Sequence, residues 1–146
     1  MQKLHSSITI NAPREKVWHT MLDAETYVQW VSAFSKDSYY EGDWGEGSEI
    51  RFLHIDGKNG MFSRIKENRE PEFISIEHVG MIKDGVVDTT SDEVKKWTPS
   101  FENYTFTEVD GGTQVDVEMD ISEEYKSEFE DMWSKALAQL KEIAEK

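Results

Sequence analysis

Hydrophobic and polar positions alternate over several segments of the chain with the two-residue period of a β-strand. In the first segment, which runs from Leu4 to Ile10, every second residue falls on the same face as Leu4. Pro71 and the turns at 56–60 and 110–112 separate later segments of this kind. They are predicted as six further strands: 37–41, 48–55, 61–70, 72–80, 101–108 and 113–121.

Capping residues and apolar residues spaced three and four apart predict three helices. The first begins with Asn11 or Ala12 at the cap and Pro13 in its first turn. The second runs from Asp23, as its cap, to Trp30. A third helix follows Ser122, with a length of about 36 Å. Its predicted apolar face consists of Tyr125, Phe129, Met132, Trp133, Ala136, Leu137, Leu140, Ile143 and Ala144.

The segment 81–100 lacks strand alternation. Thr90 and Glu93 fit a capping box ahead of a short helix that ends near Trp97. An insertion of this size over the sheet can act as a lid.

The predicted order is one strand, two short helices, a run of about six strands and one long helix. A sheet that packs against a single amphipathic helix is an α+β arrangement. At 146 residues the chain has the size of one domain. We therefore predict a single domain, 1–146, in which a curved antiparallel sheet of about six to seven strands wraps round the C-terminal helix.

The charge of the chain restricts its partners. The 30 acidic and 16 basic residues give a formal net charge of -14, which repels phosphate backbones and anionic bilayers. We expect no nucleic-acid partner, and no membrane insertion because no segment approaches the roughly 20 apolar residues of a membrane span. The chain has no cysteine, so nothing demands an oxidising compartment and the expected localisation is cytoplasmic.

Five segments resemble a known family: ITINAPREKVW, ETYVQW, GMFSRIKENREPEFISIEHVG, ENYTFTEVDGGTQVDVEMD and FEDMWSKALAQLKEIAEK. They are similar to the START-like (SRPBCC, birch-pollen-allergen-like) superfamily over nearly the whole chain, and to its branch around the activator of the 90-kDa heat-shock-protein ATPase. The resemblance implies the helix-grip fold and a cavity between sheet and helix, used in the superfamily for lipids, sterols, hormones and aromatic polyketides. It leaves a chaperone partner open without implying one, because bacterial relatives usually lack the remainder of the activator.

Two histidines are candidates for polar contacts with a ligand. Strand alternation places His54 on the face of Phe52, and His78 on the face of Ile76. Because histidine titrates near neutral pH, either side chain could bond a ligand oxygen or move a proton to it. The alternative is two hydrogen-bonded histidines near a sheet end. We expect no metal site, since a third strand separates the two and no carboxylate completes a ligand set.

Glu102, Tyr104 and Phe106 share one face of their predicted strand. Tyr104 is the stronger candidate for a ligand contact. Glu102 is a candidate acid or base if it is buried. At the cavity mouth or facing outward it is only solvated, which is the commoner state of glutamate.

Aromatic rings and methionines adapt to irregular cavities, and they complete the predicted ligand-binding set. The alternative for each apolar member is ordinary core. The set comprises Trp30, Phe52, His54, His78, Trp97, Tyr104, Phe129, Met132 and Trp133.

Three functions stay open at this point. The first is binding of a small hydrophobic molecule, lipid-like or aromatic, by a monomer or a homodimer. The second is an enzyme of cyclase or dehydratase type acting on an aromatic or polyketide-like substrate, in which His78, Tyr104 or Glu102 moves a proton. The third is a protein-interaction or co-chaperone-like module with a filled core. No GxSxG, Walker, GxGxxG or HExxH motif occurs, so no catalytic residue, cofactor or metal is assigned.

Overall fold

The computed structural model describes residues 1–146, and its helices and strands alternate in the predicted order. The strands are β1 (Gln2–Ile10), β2 (Tyr39–Gly42), β3 (Glu49–Leu53), β4 (Gly60–Arg69), β5 (Phe73–Lys83), β6 (Val86–Asp88), β7 (Ser100–Val109) and β8 (Gly112–Ile121). The helices are α1 (Arg14–Leu22), α2 (Ala24–Trp30), α3 (Asp92–Lys95) and α4 (Glu123–Ala144), and a 3-10 turn, Val31–Ala33, follows α2.

All eight strands form one antiparallel sheet in the order β1-β8-β7-β5-β4-β3-β2, with β6 paired to the end of β5. Two register shifts interrupt the pairing of β4 with β5, one between Phe62 and Ser63 and one between Ile65 and Glu67. Irregularities of this kind bend a strand and increase its twist. The sheet therefore curves, and its inner face receives α4.

The alternation of residues in β8 decides which side chains meet α4. Val115 and Val117 are fully buried, whereas Gln114 and Asp116, at the alternate positions, lie on the outer face. Across the sheet, α4 packs mainly against β1 and also against α1 and α2. The buried residues of α4 are Trp133, Ala136, Leu137, Leu140 and Ala144.

Aromatic donors tie the end of α1 to the elements that follow it. The Trp30 indole donates to the Met21 carbonyl at 3.0 Å. The Tyr40 hydroxyl and the Trp44 indole both donate to the Leu22 carbonyl, at 2.6 and 2.9 Å. The last carbonyls of a helix have no partner within it. The Trp30 bond therefore joins α2 to α1, and the Tyr40 and Trp44 bonds hold this pair against β2 and the loop after it.

The predicted helix ends need three corrections. Pro13 itself occupies the N-cap of α1, in extended geometry, and the helix begins at Arg14. Asp23 and Ser122 hold the N-cap positions of α2 and α4, but neither side chain bonds a backbone N–H there. The side chain of Asp23 instead contacts the imidazole of His19 at 3.2 Å.

The segment 81–100 is the part of the chain that prediction described least well. Its first three residues extend β5, and β6 is an eighth strand that was not predicted. The capping box at Thr90 and Glu93 was wrong. Ser91 is the cap, because its hydroxyl accepts from the Val94 N–H at 3.2 Å.

The predicted apolar stripe of α4 is also too long. Tyr125 is 48% exposed, and the first fully packed side chain of the helix is Trp133. None of the helices combines the length and the apolarity that crossing a bilayer requires.

Replacing Leu140 by alanine tests the packing of α4 on the sheet. Leu140 is fully buried, so the variant should lose about 2–5 kcal/mol of unfolding free energy. Lys135→Ala, at an exposed position of the same helix, should change it by less than about 0.5 kcal/mol. Urea denaturation followed by circular dichroism measures both, and equal effects of the two variants would contradict the packing described.

Candidate functional site

A cavity of ≈ 300 Å³ lies between the inner face of the sheet and the N-terminal half of α4, and 13 of its 19 lining residues are hydrophobic. Strands β2, β3, β4, β5, β7 and β8 contribute to it, together with α2 and the segment that follows α2. The lining residues are Tyr27, Trp30, Val31, Phe34, Ser35, Ser38, Tyr39, Phe52, Leu53, His54, Gly60, Met61, His78, Glu102, Tyr104, Met119, Phe129, Met132 and Trp133.

Eight of the nine predicted ligand-binding residues line this cavity, and Trp97 does not. Trp97 follows α3, in a segment whose β6 strand pairs with the far end of β5. No residue of 81–100 lines the cavity, so the predicted lid over it was wrong. Contact of the other eight with a ligand stays a prediction.

The segment after α2 also contributes to the cavity wall, through Phe34. Phe34 packs edge-on against the Trp133 ring, with centroids 4.9 Å apart, and lies 6.1 Å from the Phe129 ring. Sequence reasoning missed Phe34, because residues 31–35 belong to no regular period. One sequence signal was available: Phe34 follows Trp30 by four residues, and the two would share a helix face if α2 continued to Phe34.

The two histidines differ in environment. His78 is 5% exposed, whereas His54 is exposed and lies just past the end of β3. Strand β4 separates the strands that lead to them. No three His, Asp or Glu side chains converge as metal ligands would.

A chain of hydrogen bonds joins four side chains on β4, β5 and β7. The Ser63 hydroxyl lies 2.7 Å from Nδ1 of His78, and Nε2 of His78 lies 3.0 Å from Oε1 of Glu102. The Tyr104 hydroxyl donates to Oε2 of Glu102. Glu102 thus accepts one hydrogen bond on each carboxylate oxygen.

The position of Glu102 differs from the solvated state that is commoner for glutamate. Its side chain is only 16% exposed and lines the cavity, so it is not a solvated outer carboxylate. Sequence reasoning missed the His78 contact, because it depends on strand order and register. Glu102 pairs with Ile76 across β5 and β7, which places it diagonally beside His78.

Ser63 was missed for a related reason. Phe62 pairs with Gly80, but the next residue, Ser63, pairs with His78, and Val79 is skipped. Regular alternation would have brought Ser63 opposite Val79. Only the irregularity places the hydroxyl beside the imidazole.

The hydrogen bonds indicate the state of each group. A carboxylate only accepts, so His78 Nε2 carries a proton, and the Ser63 hydroxyl can donate to or accept from Nδ1. Burial raises the pKa of the Tyr104 phenol well above its ordinary value, and the charge of Glu102 raises it further. Tyr104 therefore stays a hydrogen-bond donor and does not act as a base near neutral pH.

Ser63, His78 and Glu102 do not form a nucleophilic triad. Ser63 is fully buried and is not among the residues that line the cavity. A nucleophile must reach the reacting atom. Ser63 is therefore a positioning residue for His78, and the group presented to the cavity is the Glu102 carboxylate.

Tyr27 is a further polar group at the site that sequence reasoning missed. It lies on α2 and lines the cavity, is 6% exposed, and its hydroxyl makes no hydrogen bond within the protein. Burial strongly raises the pKa of this phenol, followed by the negative charge of Glu102. A signal was present, since Tyr27 lies three residues before Trp30 and such residues share a helix face.

A model of the family described as activator of Hsp90 ATPase homolog 1-like protein matches residues 11–145. The chain belongs to this family. The predicted superfamily and branch are thereby confirmed. No curated protein matches the chain in sequence.

Solved structures show the same fold. CalU16 from Micromonospora echinospora is 20% identical with a TM-score of 0.67, over 97% of this chain and 75% of that one. The Aha1 dimer from Colwellia psychrerythraea is 16% identical with a TM-score of 0.72, over 99% and 97%. Protein MLL2253 from Mesorhizobium loti is 14% identical with a TM-score of 0.73, over 97% and 95%. At these identities the likeness concerns the fold alone, and it confirms the α+β helix-grip fold.

The raised pKa of Tyr104 predicts a loss of stability at high pH. Unfolded tyrosines ionise near about pH 10, whereas Tyr104 in the folded protein retains its proton. The unfolded state therefore releases protons first, and the unfolding free energy falls as pH rises above about 10, by up to about 1.4 kcal/mol per pH unit for this residue.

The measurement is urea unfolding at several pH values between about 8 and 11.5. Tyr104→Phe should show a shallower fall than the native protein, whatever its stability at pH 8. Identical slopes for the two proteins would show that Tyr104 ionises normally.

Proposed function

We propose that the protein binds a small hydrophobic molecule in the cavity between the sheet and α4. The observation that carries this proposal is a space of ≈ 300 Å³ with 13 hydrophobic lining residues and one hydrogen-bonded carboxylate at its wall. Protein interiors are otherwise close-packed. A concave apolar space with a few placed polar groups is the usual form of a small-molecule site.

The cavity also limits the size and shape of the ligand. It has about twice the volume of a 150 Å³ cavity that holds benzene, which corresponds to about two fused rings. Ring centroids of Tyr104 and Trp30 each lie 5.9 Å from that of Trp133. A wall of aromatic rings favours an aromatic ligand over a flexible lipid-like chain, because rings pack edge-to-face and offset-stacked.

A second candidate is an enzyme of cyclase or dehydratase type. The contact of His78 Nε2 with Glu102 Oε1 at 3.0 Å favours it, because a carboxylate oriented by an imidazole beside a cavity can accept a proton from a bound substrate. If so, Glu102→Gln abolishes turnover of a converted ligand, which mass spectrometry would detect. The third candidate, an interaction module, was predicted with a filled core, and the cavity argues against it.

The oligomeric state stays a prediction of monomer or homodimer. One structure of the same fold is that of a dimer. Sedimentation equilibrium of this protein distinguishes the two states.

Naphthalene is a suitable first probe, because it is neutral and has two fused rings. We expect it to raise the melting temperature of the native protein, since binding to the folded state alone stabilises it. Met132→Trp, which adds bulk at the α4 wall, should abolish the shift. Trp97→Ala, which alters a residue outside the cavity, should keep it.

Isothermal titration calorimetry with naphthalene, a sterol and a long-chain alcohol extends the test to other apolar shapes. Failure of all three to bind the native protein would contradict the proposed function. Binding that survives Met132→Trp unchanged would place the site elsewhere.

A further inference from the structure

We propose that the cavity selects a ligand with a hydroxyl group, alcohol or phenol, that donates to the Glu102 carboxylate and accepts from the Tyr27 hydroxyl. This inference rests on the proposed function, because it specifies the polar end of the hydrophobic ligand.

Glu102 can accept a further hydrogen bond, from the ligand. Its two oxygens each accept one bond, from His78 and from Tyr104, and each oxygen has two acceptor positions. Acceptor capacity therefore remains on a side chain that lines the cavity. A ligand carboxylate, sulfonate or phosphate brings only acceptors and a like charge, so it is excluded.

Tyr27 can donate to an acceptor on the ligand. The residue is 94% buried and lines the cavity, and its hydroxyl has no partner in the protein. The hydroxyl oxygen is not among the fully buried polar atoms without a partner, so it remains accessible. A ligand atom in the cavity can therefore accept a hydrogen bond from Tyr27.

The two groups lie on the same part of the wall. The Phe52 ring has its centroid 6.3 Å from that of Tyr27 and 6.0 Å from that of His78, so Tyr27 and the Glu102–His78 pair flank one ring. The charge of Glu102 is also among the causes that raise the pKa of Tyr27. In the proposed complex, one ligand atom lies between both groups.

A hydroxyl is the functional group that fits both demands at one atom. An ammonium donates but cannot accept, and an ether or ketone accepts but cannot donate. A hydroxyl oxygen donates its proton to Glu102 and offers a lone pair to Tyr27. Sites built to bond a ligand hydroxyl reject analogues without it, since the protein groups are then left unpaired.

Four probes of one shape test the inference on the native protein: naphthalene, 2-naphthol, 2-methoxynaphthalene and 2-naphthoate. Titration calorimetry should give 2-naphthol an affinity at least about tenfold above those of naphthalene and 2-methoxynaphthalene, which is the effect of about one hydrogen bond. The anion 2-naphthoate should bind most weakly.

Variants assign the preference to the two residues. Glu102→Gln and Tyr27→Phe should each lower the ratio of 2-naphthol to naphthalene affinity about fivefold or more. Their effects on this ratio should not add, because both residues hold the same atom. Glu118→Gln, on the outer face of β8, is the matched carboxylate control and should leave both affinities unchanged.

Tyr125→Phe is the matched hydroxyl control. Tyr125 is 48% exposed on α4 and does not line the cavity, so removing its hydroxyl should leave the 2-naphthol preference unchanged. Loss of the preference in this variant, with the preference retained in Tyr27→Phe, would overturn the assignment to Tyr27.

The outcomes separate this inference from the proposed function. If naphthalene binds and 2-naphthol binds no better, or if 2-naphthoate binds best, the hydroxyl preference is wrong and the hydrophobic site stands. If none of the four probes binds, and the sterol and long-chain alcohol also fail, both are overturned. A preference for 2-naphthol that Glu102→Gln and Tyr27→Phe each reduce supports both.

Discussion

The packing of α4 across the sheet is the interaction on which the rest of the structure depends. In the C-terminal half of the helix, Ala136, Leu140 and Ala144 are fully buried, and alanines in particular allow close approach between helix and strand. In the N-terminal half, Phe129 and Met132 are only partly buried and line the cavity. One amphipathic helix thus completes the core at one end and forms the wall of a cavity at the other.

The hydrogen-bonded network of Ser63, His78, Glu102 and Tyr104 is the second constraint. It places polar groups in a cavity wall that is otherwise mostly apolar. A carboxylate removed from water is costly unless donors compensate it. His78 and Tyr104 provide those donors. The Ser63 hydroxyl orients the imidazole of His78 through a hydrogen bond to Nδ1. The arrangement orients the Glu102 carboxylate at the cavity surface, which gives an otherwise apolar space a chemical preference.

Four of the predicted residues that line the cavity share one property, which is a place in a regular period. His78 and Tyr104 were assigned to the inner face by strand alternation, and Met132 and Trp133 to the inner face of α4 by helical spacing; all four line the cavity. Trp97, which does not line the cavity, belongs to an irregular segment. The predicted burial of Tyr125 failed within a regular helix, because the first turns of α4 extend beyond the core.

Local sequence patterns determined the element order, the inner face of each strand and the α+β class, because the side-chain periods of strands and helices depend only on neighbouring residues. Tertiary structure decided which of those faces meet. Ser63, His78 and Glu102 come from three strands, and a skipped residue in the β4–β5 pairing aligns the first two. The packing of Phe34 on Trp133 and Phe129, and the placing of Tyr27 and Glu102 in one cavity wall, likewise depend on contacts between distant segments, which no local period encodes.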